Sequence, residues 1–233
     1  MNTEHSFSRR GMILIFLALL ICAGALLIVK ETVARSASTT IHVNSTDGGT
    51  GGPECRLRDA ISAANTGAVV GGCDGSAGGP FILELIDPGH GSVYEFSEID
   101  NNSNALPIIT SDITINAHFG TIARSNQVNT PDFRLFEVAA AGTLNLNEVT
   151  VRGGGVVTEG GNLNNRGNMH IKDAIFQFGR AESGGSISNE GIMTISKSRI
   201  VNNYGGCGGG ILNEDAGVLT LSDSLVLENV GDI

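Results

Sequence analysis

A chain of 233 residues is long enough to bury a sizeable core without dense disulfides or metals. Its 41% hydrophobic and 16% charged content excludes general disorder, while 33 Gly, 5% aromatics and no Trp favour turns and small residues over a helical enzyme. The formal charge of −10 divides unevenly: four basic residues (Arg9, Arg10, Lys30, Arg35) face two acidic ones (Glu4, Glu31) at the start, so residues 36–233 carry −12. Lys172 and Lys197 are the only lysines there, and no nucleic-acid partner is expected.

Met12 to Val29 is an unbroken, uncharged apolar run, preceded by Arg9-Arg10 and followed by Lys30. Its length lies between a long secretory core and a short transmembrane helix, and the arginines hold its N-terminal side in the cytoplasm. The remainder is therefore expected to be exported. Ala34 and Ser36 give the small-residue spacing of a signal-peptidase site, with Thr32-Val33-Ala34 as a competing one. Residues 1–36 read as a cleaved signal peptide or, uncleaved, as a membrane anchor through 12–29. Cys22 follows the bulky Ile21 and is a passenger in the run.

Cys55 and Cys73 share a Gly-rich stretch that export places in an oxidising compartment, so a disulfide is the leading reading. The alternatives are a metal site or a thiol nucleophile, but no His or second Cys stands at ligand spacing. Between them, Leu57, Ala60, Ile61 and Ala64 recur at i, i+3, i+4 and i+7, the apolar stripe of a three-turn helix that Asn65-Thr66-Gly67 stops. A short amphipathic helix must cover another element's core, and this one is expected to cap the domain as part of an N-terminal cap over 37–79. Arg56, Arg58 and Asp59 are expected on or beside its wet face.

Phe81–Leu85, Ile113–Ile115 and Phe133–Val138 are strand-like and separated by Pro, Gly and Asn turns. From residue 142 the chain repeats. Gly142, Gly167, Gly191 and Gly217 open four similar segments at steps of 25, 24 and 26, each with apolar third and fifth positions: Leu144/Leu146, Met169/Ile171, Met193/Ile195 and Leu219/Leu221. That is strand alternation. A second frame aligns Gly160-Gly-Asn-Leu-Asn-Asn165, Gly184-Gly-Ser-Ile-Ser-Asn189 and Gly208-Gly-Gly-Ile-Leu-Asn213 at steps of 24. Strand-sized repeats without helical pieces select an all-β fold, a parallel β-helix over 80–233 with about six coils of about 24 residues. Coils stack ~4.8 Å apart, so Asn165, Asn189 and Asn213 are expected to form a structural ladder of side-chain amides. Leu225 to Ile233 stops within a coil, which predicts further coils in the parent gene, instability, or end-to-end self-association.

The segment Cys55-Arg-Leu-Arg-Asp-Ala-Ile-Ser-Ala-Ala-Asn65 resembles the CSLREA domain of exported bacterial β-helix proteins, with Arg56 at the signature Ser and Asp59 at the signature Glu. Cys73 stands where many members carry a second cysteine. The resemblance continues through Leu106–Asn116, Pro131–Val138 and Gly142–Leu146, and the Gly-Gly-x-Ile-x-Asn pattern is similar to repeats of polymorphic outer-membrane proteins. It implies a right-handed, pectin-lyase-like β-helix, secreted or at the cell surface or outer membrane, with no active-site residues to transfer. The expected function is a non-catalytic, adhesin-like scaffold whose partners are glycans or surfaces, without metal or cofactor. A polysaccharide lyase or hydrolase and a truncated relic are the alternatives. Against catalysis, Gly89-His90-Gly91 matches one short polygalacturonase motif without its companions, Lys197 interrupts the frame shared by Asp173 and Asp223, and His42, His90, His118 and His170 lack metal spacing.

Overall fold

The computed structural model describes residues 37–86, 91–156 and 158–231. The apolar run 12–29 and His90 lie outside them. Among the described residues no helix is long and apolar enough to cross a membrane.

Alternating side chains dictate the architecture. In the first ladder, Thr39–Val43, Phe81–Leu85, the first part of Asp112–Arg124, the first part of Thr143–Arg152, Asn168–Lys172, Ile192–Ser196 and Val218–Ser222 pair in parallel and in that order. Leu144, Met169, Met193 and Leu219 fall in register, as do Leu146, Ile171, Ile195 and Leu221. One face of each strand enters a continuous core that includes Leu83, Ile115, Leu146, Ile171 and Ile195. A second ladder continues it around a corner: Val93–Phe96, the ends of the two long strands, Ile175–Gln177, Arg199–Val201 and Leu225–Leu227. A third ladder joins Arg180–Ser183, Tyr204–Cys207 and Val230–Gly231, and a fourth joins Phe136–Val138, Leu163–Asn165, Ile187–Asn189 and Ile211–Asn213.

The result is a parallel β-solenoid of about five turns, averaging about 26 residues each, instead of six coils of 24. The difference lies in the earlier coils. There Phe81 pairs with Ile113 and Ile113 with Leu144, steps clearly longer than those of the later coils. The parallel ladder also begins at Thr39, ahead of the start expected at residue 80, because the segment between Val43 and Phe81 loops out before the chain returns to pair.

Single left-handed residues turn the chain at its corners. Glu148, Asp173, Lys197 and Asp223, with φ of 49–52°, form one column. Gly153, Phe178, Asn202 and Glu228 form a second, and Gly160, Gly184 and Gly208 a third. This explains the repeated Gly-Gly. Gly184 has φ 57°, and a Cβ there would lie 2.3 Å from the Ile187 carbonyl oxygen; at Gly185 it would lie 2.2 Å from that of Gly209 in the next coil. The first glycine allows the turn and the second lets coils approach.

Helix α1 (Leu57–Thr66) ends at Gly67, a left-handed residue whose N–H bonds the Ala63 carbonyl at 2.9 Å. Leu57, Ala60, Ile61 and Ala64 are buried in the same core as the strands. Cys55 and Cys73 form a disulfide that closes the loop containing α1. Arg58 and Asp59 do not lie on a wet face; both are buried. The Arg58 guanidinium donates through Nε to the Ala105 carbonyl at 2.7 Å and through Nη2 to that of Glu98, and it stacks on Phe96 at 5.2 Å. Burial pulls its pKa below the ordinary arginine value, against the nearby acids Asp100 and Glu98. Asp59 accepts the Gly51 N–H on both oxygens, at 3.0 and 2.9 Å. These two charges tie α1 to the loops on either side, which satisfies buried groups a wet face would have left to water.

Candidate functional site

The Asn frame is internal. Asn165 Nδ2 donates to Asn189 Oδ1 at 2.8 Å and Asn189 Nδ2 to Asn213 Oδ1 at 2.7 Å, one coil to the next. Asn165 and Asn189 are fully buried, so at these two positions the row serves packing and offers no surface to a ligand, whereas Asn213 is exposed. A second internal row follows the corner after Phe178: Asn203 Nδ2 donates to Asn229 Oδ1 at 2.8 Å, and the Gly179 N–H donates to Asn203 Oδ1 at 2.8 Å.

Two sizeable clefts among the described residues open on the outside. The larger, of about 830 Å³, lies beside the N-terminal strands of the first ladder and is lined by Thr40, His42, Glu84, His118, Phe119 and Glu148 among others. His42, Glu84, Asn116 and Asn147 occupy one register column on the outer face of that ladder. Asn147 Nδ2 donates to Asn116 Oδ1 at 3.0 Å, Asn116 Nδ2 donates to Glu84 Oε1 at 2.7 Å, and His118 Nε2 sits 2.9 Å from Glu84 Oε2. The chain of amides fixes the carboxylate, and the carboxylate fixes the imidazole. Between Asn116 and Gly120 the corner is made by Ala117, His118 and Phe119, where Glu148 alone makes it in the next coil. His118 (φ 49°) and Phe119 (φ 63°) are both left-handed, and Phe119 is 64% exposed. A bulky side chain at positive φ costs about 1–2 kcal/mol, and a ring this exposed has little packing to offset it.

The smaller cleft, of about 550 Å³, runs over the third ladder. Gly153–Val156 floors it, Phe178, Arg180, Glu182 and Tyr204 stand along it, and Arg124 with Asp132 closes one side. Arg124 Nη2 pairs with Asp132 Oδ1 at 3.1 Å and donates to the Thr130 carbonyl at 2.6 Å, which pins the overhanging loop. The Arg180 guanidinium lies over the Tyr204 ring at 5.3 Å. Phe178 repeats the signature of Phe119: φ 54° and 55% exposed.

Asp173 and Asp223 prove to be corner residues of a column shared with Glu148 and Lys197, with Lys197 between them, and Asp173 Oδ2 lies 3.8 Å from the Lys172 ammonium. His170 projects from the outer face of its strand, away from His42 and His118 in sequence register. Among the described residues no group of three His, Cys, Asp or Glu is placed to hold a metal ion. Cys207 is exposed and free. Sequence reasoning missed the Glu84–His118 contact, which joins residues distant in the chain across an irregular coil.

Comparison of the chain with protein-family models, curated proteins and solved structures returned no match.

Proposed function

We propose that the protein is an exported, non-catalytic scaffold of the adhesin-like kind, whose lateral face contacts glycans or glycan-bearing surfaces. Supporting export are the apolar run 12–29 and its basic flank, together with the Cys55–Cys73 disulfide. The CSLREA-like segment is the natural N-terminal cap in this reading, with α1 covering the end of the column as a solenoid requires.

The observation that carries the reading is the recurrence of one arrangement in both clefts: an exposed phenylalanine at a left-handed corner, flanked by fixed carboxylates and planar donors. A sugar ring presents an apolar face of C–H groups and a rim of hydroxyls. An aromatic ring takes the first, and carboxylate, imidazole, amide and guanidinium take the second. The test is binding of the full-length protein, in a detergent without a sugar headgroup, to an array of microbial and host glycans. Saturable binding that drops severalfold in Phe119→Gly or Phe178→Gly is expected. An array with no saturable signal would sink the reading.

The His118–Glu84 pair favours a second reading, a polysaccharide lyase or hydrolase with His118 as the base that Glu84 orients. Release of reducing ends or unsaturated uronides from acidic polysaccharides, with and without calcium, and its loss in His118→Ala, would replace the scaffold reading with this one.

A further inference from the structure

The smaller cleft differs from the larger in its charge balance. The larger holds Glu84 and Glu148 with His42 and His118 and has no arginine or lysine in its lining. In the smaller, Arg124 is matched by Asp132 and Arg180 stands two residues from Glu182 on the same strand face, so the lining is neutral. Arg180 makes no ion pair among the described residues; its guanidinium instead lies over Tyr204, and the residue lines the groove.

Phe178 adds the second observation. The corner positions in register with it are Gly153, Asn202 and Glu228, of which glycine and asparagine are the residues that tolerate positive φ. A phenylalanine there leaves more than half of its surface to water. Phe178 lies in register with Gly153 one coil on, and Tyr204, stacked with Arg180, stands on the coil after that; all line the groove. Two aromatic residues on adjacent coils, in a groove that Gly153, Gly154 and Gly155 also line, suit a flat ligand lying along the column.

We infer that this groove binds a neutral oligosaccharide of hexopyranose units, with Phe178 stacking on a sugar face and Arg180, Glu182 and Asp132 bonding its hydroxyls. The inference rests on the glycan-contacting reading above. Neutrality follows from the balanced lining and from the −12 charge of residues 36–233, which repels a polyanionic chain. Glu182 and Asp132 would each face an acidic sugar's carboxylate in the groove, whereas both accept readily from hydroxyls.

The experiment is calorimetric titration of the full-length protein, in detergent without a sugar headgroup, with cellohexaose, mannohexaose and hexagalacturonate. Phe178→Gly removes the ring while placing at the corner the residue that Gly153 already supplies one coil earlier, so folding is preserved by design. Saturable binding of a neutral hexamer, weakened about tenfold or more by Phe178→Gly and about fivefold by Arg180→Gln with the melting temperature held, is the expected result. Neutral binding unchanged in Phe178→Gly but lost in Phe119→Gly moves the site to the larger cleft: the groove assignment falls and the scaffold reading stands. Tighter binding of hexagalacturonate than of either neutral hexamer overturns the ligand class. No binding of any probe, with an empty glycan array, defeats both.

Discussion

Replacing Asn189 by alanine tests whether the buried amide row holds neighbouring coils together. The substitution deletes the 2.7 Å bond donated to Asn213, the 2.8 Å bond accepted from Asn165 and the bond donated to the Gly191 carbonyl at 3.2 Å. A net value of about 1 kcal/mol for each of the two short bonds, plus the cost of leaving buried partners and a small void, gives about 2–4 kcal/mol. Asn213 is exposed, so water replaces the bonds its own amide donates, but it also accepts from the buried Asn189 amide; the same change there removes one of the two short bonds instead of both and should cost about 1–2 kcal/mol. For a domain of this size the Asn189 value corresponds to a fall in melting temperature of about 4–15 °C. Urea unfolding followed by far-ultraviolet circular dichroism reads the free energies. Amide exchange locates them, since the Gly191 N–H bonds the Asn165 carbonyl and the Glu214 N–H bonds that of Asn189. Equal costs at positions 189 and 213, or a cost at 189 below about 0.5 kcal/mol, would refute the argument that burial converts these amides into structural bonds.

Arg58→Met keeps the length and apolar stem of the side chain but leaves the Ala105 and Glu98 carbonyls without their donor, and a loss of about 2–4 kcal/mol in thermal or urea unfolding is expected. A stability within error of the original would show that this buried charge is dispensable. Replacing Cys55 and Cys73 together by serine opens the loop that holds α1, and the chain-entropy estimate is about 3 kcal/mol, measurable as an equal shift on reduction of the original protein. Phe119→Gly and Phe178→Gly should each leave the melting temperature unchanged or raise it, because each replaces a bulky left-handed residue; a fall of more than a few degrees would mean that the rings pack, and that their exposure misleads.

The regular half of the fold was legible because its repeat is short and its chemistry is strict. Leu144, Met169, Met193 and Leu219 share a register that the sequence spacing alone aligns, and Asn165, Asn189 and Asn213 do the same in the fourth ladder. Before residue 142 the coils lengthen, with Phe81 set against Ile113 and Ile113 against Leu144, and period-based alignment loses its purchase. The strand at Thr39–Val43 pairs with Phe81–Leu85 across an excursion that holds α1 and the disulfide, which no periodicity announces. Arg58 and Asp59 were misplaced for a different reason. A helical wheel assigns charges to water by default, but here two loops fold over them and supply carbonyls and an N–H. The Glu84–His118 contact was hidden by the insertion that creates it.

A parallel solenoid constrains its inward positions and its corners far more than its outer strand faces. Inward residues must fill the core that coils above and below share, and corner residues must accept positive φ, so a sequence that only had to fold would place glycine or asparagine at each turn. Asn202 and Gly153 obey that rule, and the polar corner residues Glu148, Asp173, Lys197 and Asp223 break it mildly while remaining solvated. Phe119 and Phe178 break it twice, once in backbone conformation and once in exposing a ring to water. Exposure of more than half of each residue limits what packing returns, and each lines one of the two larger clefts beside groups that hydrogen bonds or stacking already hold in place. A missing compensation of this kind at two separate corners points outward, to a ligand that covers the rings. Under the proposed glycan-contacting function, the folding cost of each corner would reappear as binding free energy, which is why the glycine variants must separate stability from recognition.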